Sequence, residues 1–288
     1  MQSLAELVGV SEFEIYRYAY RAHLHYRQFR MAKQCGGSRT ISAPVAGLKA
    51  IQRRISKHIL APLELHDAAT GYRRGRSIVS NACVHADRDF VFNADLKDFF
   101  GSIRPKRVRA LFVGLGIPSR VAGFLTRLCT YHGSLPQGAP TSPTLANLVC
   151  RMLDERLATY CEAFGFTYTR YCDDITISGT GKFTPLHQAE VFAIVEAEGF
   201  AVNMSKVRLA TKRARQTVTG VVVNKFTNMA RNERRKLRAI FHQAAMDPTK
   251  FAGMMSKLQG SIGLLEMIRP DDPALSKYKA ILASMNEA

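Results

Sequence analysis

The segment TYTRYCDDITIS (167–178) constrains this chain more than any other. Two runs of β-forming residues flank Cys172, Asp173 and Asp174, and their alternation predicts two strands joined by a tight turn. Adjacent carboxylates repel unless a cation lies between them. A turn at one end of a sheet would expose both, where a hard cation could be held together with phosphates. A pair of Asp in a turn is unremarkable by itself, because Asp is a turn former. A further carboxylate changes the reading. Asp95 closes DFVFNADL (89–96), an alternating segment that predicts another strand, and Phe99-Phe100 follow it. Acids at the end of one strand and on a neighbouring hairpin are what two-metal phosphoryl transfer requires.

The remaining pattern supplies a framework for these acids. Segment 11–30 reads as a helix rich in aromatics and Arg, and FRMAKQCGGSRTIS (29–42) as a β-hairpin around Gly36-Gly37. In GLKAIQRRISKHIL (47–60) the apolar residues recur at helical spacing. Helices are predicted over 105–115 and 119–131, then a Gly/Pro/Ser-rich loop over 133–143. One long helix is expected over 144–164, with Leu145, Leu148, Met152 and Leu153 inward. A helix over 186–198 and strands over 200–203, 207–211 and 217–223 follow, and from 231 the pattern is helical and basic. This order predicts an α+β fold with helices packed on one face of an antiparallel sheet.

Lys and Arg number 41 against 23 Asp and Glu, a net charge of +18, which points to a polyanionic partner. The cations gather at Arg73, Arg74 and Arg76, along Lys206–Arg215, and in RNERRKLR (231–238). MQSLAELVGV lacks the basic start and apolar run of a signal peptide, and no stretch is apolar enough to span a membrane. The six cysteines form no CxxC or Cys/His cluster, so they read as reduced thiols of a cytoplasmic protein.

NADLKDFF (93–100), LPQGAPTSP (135–143) and YCDD (171–174) resemble the A, B and C motifs of reverse transcriptases, in the family's order. The resemblance runs from about residue 26 to the C-terminus. It implies a right-handed polymerase fold, with N-terminal helices and fingers over 1–90, a palm over 91–224 and a helical thumb over 225–288. It implies RNA-directed DNA synthesis from dNTPs with two Mg²⁺, with Asp95 and Asp173 as main ligands and Asp174 in support. By the same resemblance Phe100 is the steric gate against a 2′-hydroxyl, and Gln137 and Gly138 lie along the templating base and incoming nucleotide. Lys33 and Arg39 then grip the triphosphate, and Lys206 contacts phosphate or protonates the leaving pyrophosphate. In the 231–245 helix, Leu237, Ile240, Phe241 and Ala244 would pack inward, leaving Arg234, Arg235 and Arg238 to phosphates.

Two shorter elements narrow the type. Asn81-Ala82-Cys83-Val84-His85 fits an NAxxH pattern, and Val218-Thr219-Gly220 resembles the VTG element of retron reverse transcriptases. Retron resemblance implies that Asn81, His85, Val218, Thr219 and Gly220 contact a structured noncoding RNA, while Arg73 and Arg74, from the basic clusters, are expected to line a channel for an RNA–DNA duplex. It further implies priming from an RNA 2′-hydroxyl, a branched RNA–DNA product, a separate effector protein in anti-phage defence, and RNA removal by a host RNase H. Group II intron, diversity-generating and abortive-infection reverse transcriptases share the core, but the segment after Gly220 leaves no room for maturase extensions. An RNA-dependent RNA polymerase or an inactive RNA-binding scaffold fits less well, given Phe100 and the intact acids.

Overall fold

The computed structural model describes residues 1–32 and 36–287. The expectation for Lys33 lies outside the described residues. The chain begins with α1 (Gln2–Val8) and α2 (Glu12–Tyr20). Ser11 caps α2 by accepting from the Glu14 amide, while the Glu14 carboxylate accepts from the Ser11 amide. The helix expected over 11–30 stops at Tyr20, because Tyr26–Ala32 becomes strand β1. It pairs antiparallel with β2 (Ser38–Pro44), from Tyr26 opposite Pro44 to Ala32 opposite Ser38. That pairing satisfies backbone groups a lone helix end would leave open. α3 (Ala46–Ile55), extended by one π turn at 56–60, buries Leu48, Ile51, Ile55 and Leu60, and α4 (Ile78–Cys83) precedes the main sheet.

That sheet begins with β3 (Phe90–Asp95), followed by α5 (Phe99–Ser102), α6 (Pro105–Gly114), α7 (Ser119–Cys129), α8 (Ser142–Val149) and α9 (Arg151–Ala163). Then come β4 (Thr167–Tyr171), β5 (Asp174–Gly179), α10 (Pro185–Ala197) and β6 (Arg208–Thr211). The spatial order is β4-β5-β3-β6, antiparallel throughout. Phe92 lies opposite Ile177 and Ala94 opposite Ile175. These residues share one core with Leu153, Leu157, Val191 and Val195 of α9 and α10. The other face is covered too. Val91 packs with Val79 and Ala82 of α4 and with Val218 and Val221 of the hairpin β7 (Thr217–Val218) and β8 (Val221–Val222). Helices thus back one face of the antiparallel sheet, as expected, and α4 with the β7–β8 hairpin packs against Val91 on the other.

α11 (Arg231–Met246), α12 (Pro248–Phe251), α13 (Met255–Ile268) and α14 (Ala274–Glu287) build a separate apolar cluster around Leu237, Phe241, Ala244, Leu258 and Ile262. Phe241 stacks on Tyr278 with centroids 4.4 Å apart. As expected, Leu237, Phe241 and Ala244 are buried and Ile240 packs beside them.

Three local expectations are corrected. The helix predicted over 144–164 breaks at Cys150 into α8 and α9, and Met152, expected inward, is exposed after the break. Segment 200–203 is no strand: Val202 makes one bridge to Leu96 before a 3₁₀ turn at 204–206. Segment 217–223 folds back on itself, because Thr219 and Gly220 both have positive φ (47° and 83°), the geometry of a two-residue hairpin turn.

Candidate active site

The turn between β4 and β5 carries Cys172 and Asp173, with Tyr171 opposite Asp174. Cys172 sits in the left-handed region (φ 59°), which closes the turn in two residues and turns the acids to the end of the sheet. Segment 69–71 presses against this corner: a Cβ on Gly71 would lie 2.4 Å from the Cys172 amide nitrogen, so only glycine fits. Asp95, last residue of β3, lies opposite Asp174. Asp95, Asp173 and Asp174 each offer a carboxylate oxygen within 4.8 Å of the others.

The three acids differ in setting. Asp95 is buried and accepts from the Lys206 ammonium at 2.7 Å and from Asn203 Nδ2 at 3.3 Å. Desolvation and then the charge of Asp95 raise Asp173 above the usual carboxylate range. Asp174 is open to solvent on one side, yet partial desolvation and then Asp173 and Asp95 push it up to about 7. The Lys206 ammonium is raised in turn, chiefly by its hydrogen bond to Asp95. Lys206 offsets part of the negative charge, but two carboxylates stay crowded. An all-carboxylate set under such repulsion suits a hard divalent cation such as Mg²⁺.

Asp95, Asp173, Asn203 and Lys206 line a cavity of about 550 Å³ that also holds Arg39, Phe100, Gln137 and Gly138. Among the described residues, the structure thus brings together the expected A, B and C motif residues. The β1–β2 hairpin is fastened to the Gln137 loop by the Ser42 amide, which donates to the Gln137 carbonyl at 2.7 Å. Gly138 (φ 119°) permits this approach, since a Cβ there would lie 3.0 Å from Ile41 Cγ2. Phe100 is braced by Phe99 and Tyr72, with centroids 5.3 and 6.2 Å away. The sequence reading missed Tyr72, Asp98 and Asn203 on the cavity wall. Asp98 sits at a left-handed φ of 46°, and a Cβ on Gly101 would meet its carboxylate, which would have to turn away. Gly71 beside Tyr72, and Gly101 three residues after Asp98, were the sequence signal for these two.

The expected RNA contacts fare unevenly. Asn81, His85 and Val218 are fully buried, and the expectation that they touch RNA is corrected. Asn81 accepts from the Thr70 hydroxyl, and Thr219 donates to the Ile78 carbonyl. Of that element only Gly220 is exposed. Arg74, Arg235 and Arg238 are exposed, whereas Arg73 pairs with Asp67 and Arg234 with the buried Asp272. Arg234 is therefore largely committed to holding α11 against the loop before α14.

His85 is a core histidine: its ring nitrogens meet Ser178 Oγ at 2.7 Å and Thr169 Oγ1 at 2.8 Å. Desolvation, and then Arg88, lower its pKa to about 3. The folded value lies below the unfolded one of about 6.5, so this contribution to stability is fully present above pH 6.5 and declines as pH falls towards 3. About 2 kcal/mol should be lost by pH 5. Urea unfolding at pH 7 and 5 should therefore show a smaller decline for His85→Gln than for the wild type; equal declines would refute the assignment.

Comparison with known proteins agrees with this site. The family described as reverse transcriptase (RNA-dependent DNA polymerase) matches residues 31–254, and the chain belongs to that family. Its relatives narrow the type to the retron reverse transcriptases. The Retron Mx162 and Mx65 reverse transcriptases of Myxococcus xanthus are 36% and 37% identical, covering 99% and 94% of this chain. The Retron Ec86 reverse transcriptase of Escherichia coli is 34% identical over 86% of the chain and 77% of its own length. The chain spans 66% and 68% of the length of the two Myxococcus relatives. Telomerase from Candida albicans, solved with a telomeric RNA fragment, shares the fold at TM-score 0.51 and 10% identity, covering 95% of this chain and 59% of that one. No described helix is long and apolar enough to cross a membrane.

Proposed function

We propose that the chain is an RNA-directed DNA polymerase that copies a cognate structured noncoding RNA, extending a 2′-hydroxyl of that RNA to give a branched RNA–DNA hybrid. The observation that carries the polymerase reading is the cluster of Asp95, Asp173 and Asp174, of which Asp95 and Asp173 line one cavity with Arg39, Phe100 and Gln137. The branched product, an anti-phage setting, a separate effector, a host RNase H and a cytoplasmic location are further parts of this proposal, which the retron type of the relatives suggests. The fingers–palm–thumb division at 90 and 224 belongs to the same proposal, in which α11–α14 form the thumb.

Two Mg²⁺ held by Asp95, Asp173 and Asp174 would polarise the attacking hydroxyl and neutralise charge on the phosphates. The protein's own groups supply orientation. Arg39 grips the triphosphate as a planar fork, and the Gln137 loop, tied to β2, aligns the templating base with the incoming nucleotide. Lys206, hydrogen-bonded to Asp95, stands where it can contact phosphate and hold a proton for the departing pyrophosphate. Phe100, wedged by Phe99 and Tyr72, fills the space beneath the sugar. Phe100→Ala is expected to relax discrimination against ribonucleotides by roughly 10–200-fold, measured as the ratio of kcat/KM values for dNTP and rNTP. Unchanged discrimination would remove Phe100 from the gate.

Arg74, Arg235 and Arg238 are proposed to meet phosphates, with smaller shares for the paired Arg73 and Arg234. If this surface neutralises about 6–10 phosphates, RNA affinity should drop by ~10³–10⁵ between 50 and 200 mM salt. A flat salt titration would exclude it.

The function is tested by expressing the gene with its upstream flanking DNA and extracting small nucleic acids, with Asp173→Asn as control. A discrete single-stranded DNA, absent in the control and shifted by debranching enzyme, is expected. If none forms while the purified protein extends a DNA primer on RNA, the polymerase reading stands and the retron product does not.

A further inference from the structure

A groove of about 940 Å³ lies on the outer face of α2, α6 and α7, away from the carboxylates. Its walls combine flat rings and cations. Tyr16 and Tyr20, one helical turn apart on α2, stack with centroids 6.1 Å apart and planes 9° from parallel. Both stand edge-on to Phe124 of α7, at 4.8 and 5.9 Å. Arg127 lies over the Tyr20 ring at 4.6 Å, and Arg120 donates to the Tyr16 hydroxyl at 2.9 Å. Lys106 and Arg109 of α6 complete the basic wall, and among the described residues no acidic one lines the groove. Among the described residues, none of these four cations enters an ion pair. Glu12, whose charge reaches Arg120, lies outside the lining.

A face that serves only to meet solvent has no need of this arrangement. Tyr20 leaves 57% of its surface exposed, and stacking fixes the Arg127 guanidinium with its ring below. Gly123 opens the floor: a Cβ there would meet nothing within 4 Å. A series of concavities that share wall residues links the groove to the catalytic cavity. Arg39, Phe100 and Gln137 border both the catalytic cavity and the next concavity. Tyr131 and His132 border that one and a third, and Tyr20 and Arg127 join the third to the groove. The line leaves the catalytic cavity on the side of Gln137 and the β1–β2 hairpin.

We propose that this groove is a second RNA site, which grips the single-stranded template before it is read. Single-stranded RNA is recognised by stacking unpaired bases on aromatic rings and guanidinium planes, with cations along the backbone. Tyr20 and Arg127 offer the stacking surface, while Lys106, Arg109 and Arg120 face phosphates. The proposal rests on the polymerase reading, because the strand is taken to continue from a primer–template in the catalytic cavity.

The test uses the purified full chain and a fluorescent DNA primer annealed to RNA templates. These carry 5′ overhangs of zero, about 4, about 8 and about 16 nucleotides, the range covered by single-strand sites. Each protein's affinity for the hybrid without overhang is its own reference. The wild type should gain on the order of 10-fold in affinity as the overhang lengthens. Arg120→Gln combined with Arg127→Gln should lose that gain and flatten the overhang-dependent salt slope by roughly 0.7 per cation. Gly123→Leu, which fills the floor and leaves every charge in place, should lose the gain as well. Melting temperatures near the wild type's would show that both variants fold. A gain that survives in both folded variants overturns the groove assignment, as does a wild type that extends the primer but shows no gain. A wild type that neither binds the hybrid nor extends the primer overturns the polymerase reading itself. If poly-glutamate of matched charge displaces the overhang as well as poly-uridine RNA does, the groove is a site for an acidic protein surface and the proposal fails.

Discussion

Asp173→Asn is expected to lower DNA synthesis by at least ~10³-fold while leaving the protein as stable as the wild type, or more so. The two effects share one cause. Asp173 lies among Asp95 and Asp174 in a partly desolvated corner, so its ionised form is disfavoured and its pKa is raised. The same charge helps push Asp174 up to about 7. For carboxylates raised on folding, the penalty grows as pH climbs from the unfolded pKa to the folded one, and persists above it. The amide removes that repulsion, so any gain in stability should be larger at pH 8 than at pH 5. Thermal melts with and without millimolar Mg²⁺ give the second reading: an ion bound by the folded state alone raises the melting temperature. The wild type should respond to Mg²⁺ more than the variant. Activity within 10-fold of wild type, or an equal response to Mg²⁺, would show that Asp173 is not a metal ligand.

The acid cluster was legible in the sequence because each acid carries a local signal and the resemblance of NADLKDFF and YCDD to the A and C motifs joins them across the chain. Alternation fixes the strands, the Asp pair marks the turn, and Asp95 marks the end of another strand. What was not legible depends on residues far apart. A histidine four residues after Asn81 reads as an RNA contact by resemblance, and by itself as a helix histidine with its hydrogen bonds met. Only the pairing of β3, β4 and β5 puts Ser178 and Thr169 beside His85 and buries it. Thr219 looked like the middle of a strand, since β-branched residues disfavour positive φ, yet its hydroxyl bond to Ile78 helps hold it there. The break at Cys150 has no Gly or Pro to announce it. The groove beside Tyr20 was invisible for a related reason: its walls come from α2, α6 and α7, more than 80 residues apart at the extremes. Arg170 was passed over altogether, because an arginine within a strand reads as solvent-facing.

Arg170 is the largest fully buried side chain among the described residues, and Asp154→Asn should destabilise the fold by roughly 3–5 kcal/mol by stripping its counter-charge. Arg170 Nε and Nη2 donate to the two Asp154 carboxylate oxygens at 2.7 Å each, and Tyr168 donates to Oδ1 at 2.8 Å. Its Nη1 donates to Asn147 Oδ1 at 3.1 Å and to the Cys172 carbonyl at 2.8 Å. Asn147 in turn donates to the Gly71 carbonyl, on the segment pressed against the same corner. The buried pair is thus a clamp beneath the turn that presents Asp173. A buried ion pair can be replaced by well-packed apolar residues with little loss of stability, whereas removing one partner leaves a charge without compensation. The double variant Asp154→Leu/Arg170→Met should therefore recover much of the stability lost in Asp154→Asn. It should not recover polymerase activity, since nothing would then hold the Cys172 carbonyl. Chemical unfolding and primer extension on the same three proteins separate the two roles. A double variant that regains both would make the pair a packing feature alone, and one that regains stability without synthesis would make it the support that aims Asp173.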